Sequence, residues 1–406
     1  MDLNWSTADL RFRDEVRRFL EHKLTPELRR AGRLMTSVYA DDTACLQWQR
    51  ILAQHGWGAP SWPKAYGGCE WTPLQRYIFA RERVAAGAPP APFSLHTIGP
   101  ALIAFGSKEQ KRRFLPPLLY GEHRWCQGYS EPESGSDLAS LQMSAIDMGD
   151  ELVCSGSKIW TTHAHTADWM FCLARTSREG RPQQGISFLL IDMRTPGVSV
   201  RPIVMFSGEH IQNQVFFDQV RVPKSQVVGG IGRGWTVAKY LLEYERSGVA
   251  YTPELHARLD ELRNFAAQVP VDGGTLLDQP LFAARLAEAR VRVSTLEIYE
   301  LRTMSALSSG TSPGNAASVM KILGTEISQQ ITELAMDAAG VYAQAYQPHA
   351  GRPGGAIHLP HNPDHVAGPT VASLAPLRYL NDRAGSIYAG TNEIQRNILV
   401  KTALRL

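Results

Sequence analysis

Nothing in this chain has the ligand spacing of a metal centre. Its five cysteines, Cys45, Cys69, Cys126, Cys154 and Cys172, never fall into CxxC pairs, and its twelve histidines form no HExxH motif. Neither a zinc site nor a disulfide framework is expected, and the thiols read as buried or free in a reducing cytosol. No apolar run reaches the roughly 18 residues that a membrane span requires. The opening MDLNWSTADLRFRDEV has no cationic head followed by an apolar stretch, which speaks against a secretory leader and for a cytoplasmic protein. Strong charge is missing as well. Forty-two Lys and Arg against 39 Asp and Glu leave a net +3, too little to call for nucleic acid or a membrane surface as partner, although an acidic substrate is permitted.

What is present is an ordinary globular composition, 44% hydrophobic and 20% charged over 406 residues, enough for two or three domains with a sizeable core. Up to about Tyr120 the pattern is helical: ADLRFRDEVRRFLEHKL spaces apolar residues among charges at the helical period. From Trp125 to about Val228, runs such as SFLLIDM, GVSVRPIV and NQVFFDQVRVP, bounded by Gly, Pro, Asn and Asp, predict strands. Helical spacing returns at Gly234 and continues in LFAARLAEARVRVSTLEIYELRTM and NAASVMKILGTEISQQITELAMDAAG, long enough for an antiparallel bundle. The Gly-, Pro- and His-rich stretch 346–369 reads as a surface loop. Helices, then strands, then helices describe an α+β protein with domains at 1–121, 122–230 and 231–406.

Three motifs stand in order along this framework: WCQGYSEPESGSDLASLQMSA from Trp125, GSKIWTTHAHTADWMFCLART from Gly156, and GTNEIQRN from Gly390. Together, over nearly the whole chain, they resemble the acyl-CoA dehydrogenases, a family of flavoenzymes. The resemblance implies an N-terminal helical domain, a small central β-barrel, a C-terminal four-helix bundle, and FAD as cofactor. It implies that the segment holding Gln127, Tyr129 and Ser130 meets the flavin ring; strand alternation puts Gln127 and Tyr129 on one face. Ser136 matches a position near the pyrophosphate and thioester ligand, where small residues let backbone N–H groups approach phosphate oxygens. Trp160 resembles the ring-stacking tryptophan and Thr162 the hydroxyl near flavin N5, and Thr391 and Glu393 match flavin contacts of the last motif. His163 either lines the site or caps a strand. Glu133 replaces a glycine common in relatives.

In that family a base removes the α proton of a CoA thioester while hydride leaves the β carbon, a task for a carboxylate in apolar surroundings. Many members place it just before the Gly-Thr of the last motif, where this chain has Ala389. A second family location is a Glu-Arg pair in the first helix of the C-terminal bundle, and this chain carries LLEYER. The helix phase chooses between its glutamates. Ala238, Leu241, Leu242 and Val249 trace one apolar stripe, and Glu245 falls within it, whereas Glu243 shares the polar face of Lys239 and Ser247. A carboxylate on a core-facing stripe is costly unless paired or functional. Glu245 is therefore the expected base, with a salt bridge to an inner arginine as the alternative, and Arg246 is expected to orient a loop or the ligand.

Two family features are missing. The Arg-x-x-Phe-Gly signature that reaches a neighbouring subunit's flavin is replaced by PVDGGTLLDQPLF, and Met336 of MDAAG stands for a glutamine. Arg285, Arg290 and Arg292 are the arginines that could replace the lost contact. These losses resemble the large subunit of paired acyl-CoA dehydrogenases of the pimeloyl-CoA and sterol side-chain types. The resemblance implies an acyl-CoA substrate, electron-transfer flavoprotein as acceptor, and either a homo-oligomer or an α2β2 assembly with a related chain. The alternatives are a flavin monooxygenase or oxidase on the same fold, and a non-catalytic subunit.

Overall fold

Three of the helices in the first 120 residues start on capping boxes. Ser6, Thr72 and Ser107 each accept a hydrogen bond from the backbone three residues on, while Asp9, Gln75 and Gln110 reach back to the cap. The structure, a computed structural model, describes residues 5–37, 42–247, 250–309, 314–347 and 366–403; the side chains of Glu243 and of residues 245–247 lie outside the described set as well. Six helices come first: α1 (Thr7–Lys23), α2 (Pro26–Arg33), α3 (Asp42–Gln54), α4 (Pro73–Ala86), α5 (Ile98–Phe105) and α6 (Lys108–Leu119). None of the described helices is long and apolar enough to cross a membrane.

Eight strands follow: β1 (Trp125–Gly128), β2 (Ser144–Asp147), β3 (Glu151–Lys158), β4 (Trp169–Arg175), β5 (Ile186–Asp192), β6 (Val198–Val204), β7 (His210–Pro223) and β8 (Val227–Val228). They form one sheet in the order β6-β7-β3-β2-β4-β5-β8, with β1 added to β4 in parallel. The path is open: β6 and the two-residue β8 end it without pairing to each other, so the described strands do not close a barrel.

β4 is buried along its whole length, and the strand period sorts its side chains. Trp169, Phe171 and Leu173 join a core shared with Ile98, Leu102, Phe114 and Leu118 of α5 and α6 and with Val237, Ala238 and Leu241. Met170, Cys172 and Ala174 face the opposite way, into a second core with Cys126, Met143, Cys154 and Val215. All five cysteines are free thiols. Burial raises the Cys154 thiol to about 12 and the Cys172 thiol to about 11, which leaves both protonated and unreactive.

The C-terminal part is helical: α7 (Gly234–Ser247), α8 (Thr252–Ala266), α9 (Pro280–Ser308), α10 (Ala316–Ala339), α11 (Thr370–Asp382) and α12 (Asn392–Ala403), with a small hairpin β9 (Pro270–Val271) and β10 (Gly274–Thr275) before α9. Helices α8, α9 and α10 enclose a third core around Leu259, Val293, Met320 and Ile331. α8 lacks a capping side chain at Tyr251. Glu300 of α9 supplies one from outside, accepting from the Tyr251 amide at 2.6 Å and from the Thr252 hydroxyl, as an acid at a helix N-terminus should.

Candidate active site

The first two motifs meet through their backbones. The Ile159 amide donates to the Ser130 carbonyl at 2.9 Å. Beneath this contact lies a buried ion pair: Lys158, fully enclosed, donates to Glu131 Oε1 at 2.8 Å and to the Tyr129 carbonyl at 3.2 Å. Glu131 also accepts from the amides of Gln142 at 2.6 Å and Met143 at 2.9 Å. One carboxylate thus ties together the turn after β1, the turn after β3 and the start of β2.

Of the residues expected at a flavin, Gln127 and Ser130 are half-buried, while the Tyr129 ring is buried edge-on against Phe171 and Phe188. Ser136 and the neighbouring Gly135 and Glu133 are exposed, and a side chain added at Gly135 would meet nothing within 4 Å, so that loop offers open backbone. Trp160 stands out from the fold with 60% of its surface exposed. Its backbone lies in the left-handed region at φ 58, as does that of His163 at φ 56, a conformation that costs a non-glycine residue energy and tends to cluster at functional sites. β7 holds this strained turn in place. Thr161 and His163 amides donate to the carbonyls of Asn213 and Ile211 at 2.9 and 2.8 Å, Asn213 Nδ2 returns a bond to the Thr161 carbonyl at 2.9 Å, and Gln212 donates to the Thr162 hydroxyl at 3.0 Å. His163 therefore caps the strand edge through its amide, and the tilted His165 ring lies 6.2 Å from its own.

The third motif reaches the same region. Ala389, which stands where the resemblance places a base, is itself left-handed at φ 55, followed by Gly390 at φ 81. The strained turn is clamped from below. Gln395 donates to the Ala389 carbonyl at 3.2 Å and accepts from Ser318 at 2.8 Å. Buried Lys321 donates to Asn392 at 2.7 Å. Thr391 caps α12, accepting from the Ile394 amide at 3.1 Å. Glu393 is exposed in the first turn, where the helix-end amides and Thr391 lower its carboxyl.

Between the motifs lies a small recess of about 30 Å³, walled by Gln212, Thr36, Arg258, Asn381, Asp382 and Tyr388. It sets the Thr162 partner on one side and the residue before Ala389 on the other. Burial raises the Tyr388 hydroxyl to about 12 and also raises the Asp382 carboxyl. Asn381 Oδ1 and Asp382 Oδ2 are buried and meet no donor among the described residues. Two orphaned acceptors in a polar recess suit a ligand that brings N–H groups.

α7 packs beside β5 and α5. It starts against β5 at Gly234, where a side chain would strike the Ser187 backbone at 2.4 Å, and it buries Val237, Ala238 and Leu241 completely. Position 245 follows Leu241 by one turn on this inward stripe. The Glu245 and Arg246 side chains themselves, with that of Glu243, lie outside the described residues, as do positions 248 and 249.

Arg285, Arg290 and Arg292 are already engaged within the chain, by Asp337, Asp260 and Gln330. Glu131, Lys158, Gln212, Asn213, Lys321 and Asn392 carry the site's framework without having been singled out as site residues. Lys158 reads in sequence as a solvated strand end; only its fixed place beside SEPES could have hinted otherwise.

The chain matches three family descriptions: "Acyl-CoA dehydrogenase, N-terminal domain" over residues 6–122, "middle domain" over 126–220 and "C-terminal domain" over 232–404. It is 36% identical over 367 residues to the acyl-CoA dehydrogenase IpdE1 of Mycobacterium tuberculosis, covering 88% of this chain and 87% of that protein. Among solved structures it superposes with TM-score 0.81 and 30% identity on a chain of the ChsE4-ChsE5 complex from Mycobacterium tuberculosis, covering 100% of this chain and 99% of the other. A chain of the Tcur3481-Tcur3483 steroid ACAD aligns at TM-score 0.82 and 28% identity, with the same coverage.

Proposed function

The chain belongs to the acyl-CoA dehydrogenase family, whose members oxidise acyl-CoA thioesters with FAD, and on that premise we propose that Glu245 is its catalytic base. Its own residues have separable tasks. Glu245 takes the proton from the carbon α to the thioester, on a helix stripe whose apolar neighbours favour a proton-accepting carboxylate with a raised pKa. Bound FAD supplies the acceptor for the hydride leaving the β carbon, which makes the product the trans-2-enoyl-CoA. Trp160 offers a ring face, Thr162 a hydroxyl, and Gln127, Tyr129 and Ser130 the strand edge beneath it. Thr391 and Glu393 reach the cofactor from the C-terminal motif, and Ser136 and Arg246 receive the thioester ligand.

We read 1–121, 122–230 and 231–406 as the domains, the open sheet as the family's small barrel, and the helices from α7 onward as its C-terminal four-helix bundle. The observation that carries the reading is that two strained motif turns, one holding Trp160 and His163 and one holding Ala389, approach one recess through Gln212, the partner of Thr162, and through Tyr388. The deciding experiment is anaerobic titration of the flavin-loaded protein with acyl-CoA. Glu245→Gln should keep the flavin and lose its bleaching by roughly a hundred- to ten-thousandfold in rate, while Glu243→Gln should bleach like the parent. Equal bleaching by the Glu245 variant would remove it as base.

A second reading concerns assembly. Because Arg285, Arg290 and Arg292 already have partners, the missing Arg-x-x-Phe-Gly contact has no internal substitute among them. We infer an α2β2 enzyme in which a related chain supplies it, with electron-transfer flavoprotein as acceptor. The solved ChsE4-ChsE5 complex makes such pairing chemically reasonable. The chain purified alone should hold flavin substoichiometrically; one tightly held flavin per chain in a homomer would overturn this.

A further inference from the structure

Asn213 of β7 is the side chain on which the turn 160–163 rests. It is fully enclosed, and both ends of its amide are engaged. Nδ2 donates to the carbonyls of Thr161 at 2.9 Å and Ile211 at 3.3 Å; a flipped amide would set an oxygen against those two oxygens. This fixes the orientation of the amide, and with it the state of two imidazoles. His165 Nδ1 lies 3.2 Å from the same Nδ2, so it must accept, which requires a neutral ring with its proton on Nε2. His210 Nε2 lies 2.7 Å from Asn213 Oδ1, so it must donate. The two rings stack on each other, with centroids 3.9 Å apart and planes 25° from parallel.

A proton on His165 Nδ1 would turn its bond with Asn213 into two donors facing each other, and would set a cation on the face of the His210 ring. The other charged or titratable groups nearby are His163, whose ring lies 6.2 Å away, and Asp42, whose carboxylate Arg124 already holds at 2.8 Å. Glu209, beside His210 in the chain, is taken up by Thr36 and Asn381. Both stacked rings keep exposed surface, so protons can reach them. Partial burial, then the neighbouring imidazoles of His210 and His163, lower His165 from its ordinary 6.5. The fold therefore favours the neutral ring. That contribution is fully present above about 6.5 and is lost as pH falls below it.

Left-handed backbone at Trp160 and His163 persists only where the surroundings over-determine it. Asn213 supplies this twice, through its side chain and through its carbonyl, which accepts from the Thr161 amide at 2.9 Å. We propose that Asn213, His165 and His210 form a proton-controlled latch: Asn213 is a positioning residue that presents Trp160 and Thr162 to the flavin, and it does so while His165 is neutral. Acidification loosens the turn and, with it, the cofactor. This rests on the flavoenzyme reading above.

The test titrates FAD into the flavin-stripped chain at pH 8 and pH 5.5 and follows the quenching of flavin fluorescence. The parent should bind more weakly at the lower pH by roughly two- to tenfold, the worth of one hydrogen bond. His165→Gln keeps an acceptor that takes up no proton; it should bind like the parent at pH 8 and lose most of the acid weakening. His22→Gln, in the exposed last turn of α1, should keep the parent's full pH dependence. Asn213→Ala should bind at pH 8 at least as weakly as the parent does at pH 5.5, with the dependence gone. Should dichroism show that Asn213→Ala does not fold, the His165 comparison decides alone. The same pH dependence in His165→Gln as in the parent, or none in the parent, would overturn the latch and leave the flavin reading standing. No binding of FAD by the parent at pH 8 would refute the flavin reading, and the latch with it.

Discussion

Replacing Lys158 by Met should cost more than any surface substitution in the protein. The lysine ammonium is fully enclosed and the Glu131 carboxyl nearly so, at 2.8 Å from each other. Removing one member of a buried pair typically costs about 3–5 kcal/mol, because the remaining charge is left without compensation. Here the loss is softened: Glu131 keeps the amides of Gln142 and Met143 as donors, while the Tyr129 carbonyl loses its 3.2 Å bond. We expect the lower end of the range, about 3 kcal/mol, or roughly a hundredfold in the folding equilibrium. Urea unfolding followed by far-UV dichroism measures it, with released flavin fluorescence read in parallel, since the pair underlies both β-domain motifs. Adding Glu131→Gln removes the stranded charge, so the double variant should cost less than the sum of the two single changes. A Lys158→Met protein within 0.5 kcal/mol of the parent, or strict additivity, would refute the reasoning.

Three further outcomes can be measured. Trp160→Ala should shift stability by no more than about 0.5 kcal/mol, as expected for an exposed side chain, yet lower flavin occupancy; full occupancy with an unchanged flavin spectrum would mean the indole does not meet the ring. Gly128→Ala places a Cβ 2.3 Å from Met170 Sδ in the second core, and the overpacking should cost about 1–3 kcal/mol in the same urea experiment. The Glu300 carboxyl is pushed up to about 7 by burial, against 4.5 ordinarily. The folded state therefore binds this proton more tightly, and the stability it contributes is lost as pH rises from about 4.5 to about 7. Glu300→Gln should flatten that part of the stability curve, and urea midpoints at about pH 5 and 7.5 would report an unchanged slope if Glu300 were not responsible.

The order of helices, strands and helices was legible because the hydrophobic period changes at Trp125 and again at Gly234, and because β4 and β5 are short apolar runs. Sheet closure was not legible: whether β6 meets β8 depends on register and on the length of β8, neither of which periodicity encodes. The expected site turns on residues that sequence reasoning could name, Trp160, Thr162 and Thr391, because their motifs are local. The clamps beneath them were hidden. Lys158 with Glu131, and Lys321 with Asn392, are 27 and 71 residues apart, and a lysine looks solvated until its partner is known.

The parallel pairing of β1 with β4 bears on how the protein is made. Trp125 pairs with Trp169, and the register runs on to Gly128 with Cys172, so the strand that leads into the SEPES turn has no ladder of its own until β4 has been synthesised. On a ribosome adding about 5–20 residues per second, β1 therefore waits a few seconds at least as an unpaired apolar edge. β4 is also the strand that β2 and β5 join, so its arrival settles the pairings of β1 and β2 and sets out the edge that β5 takes next. A substitution that slows β4 from docking would leave the WCQG strand open to wrong partners during synthesis, and its harm would appear as lost yield in cells rather than as a lower stability of the folded protein.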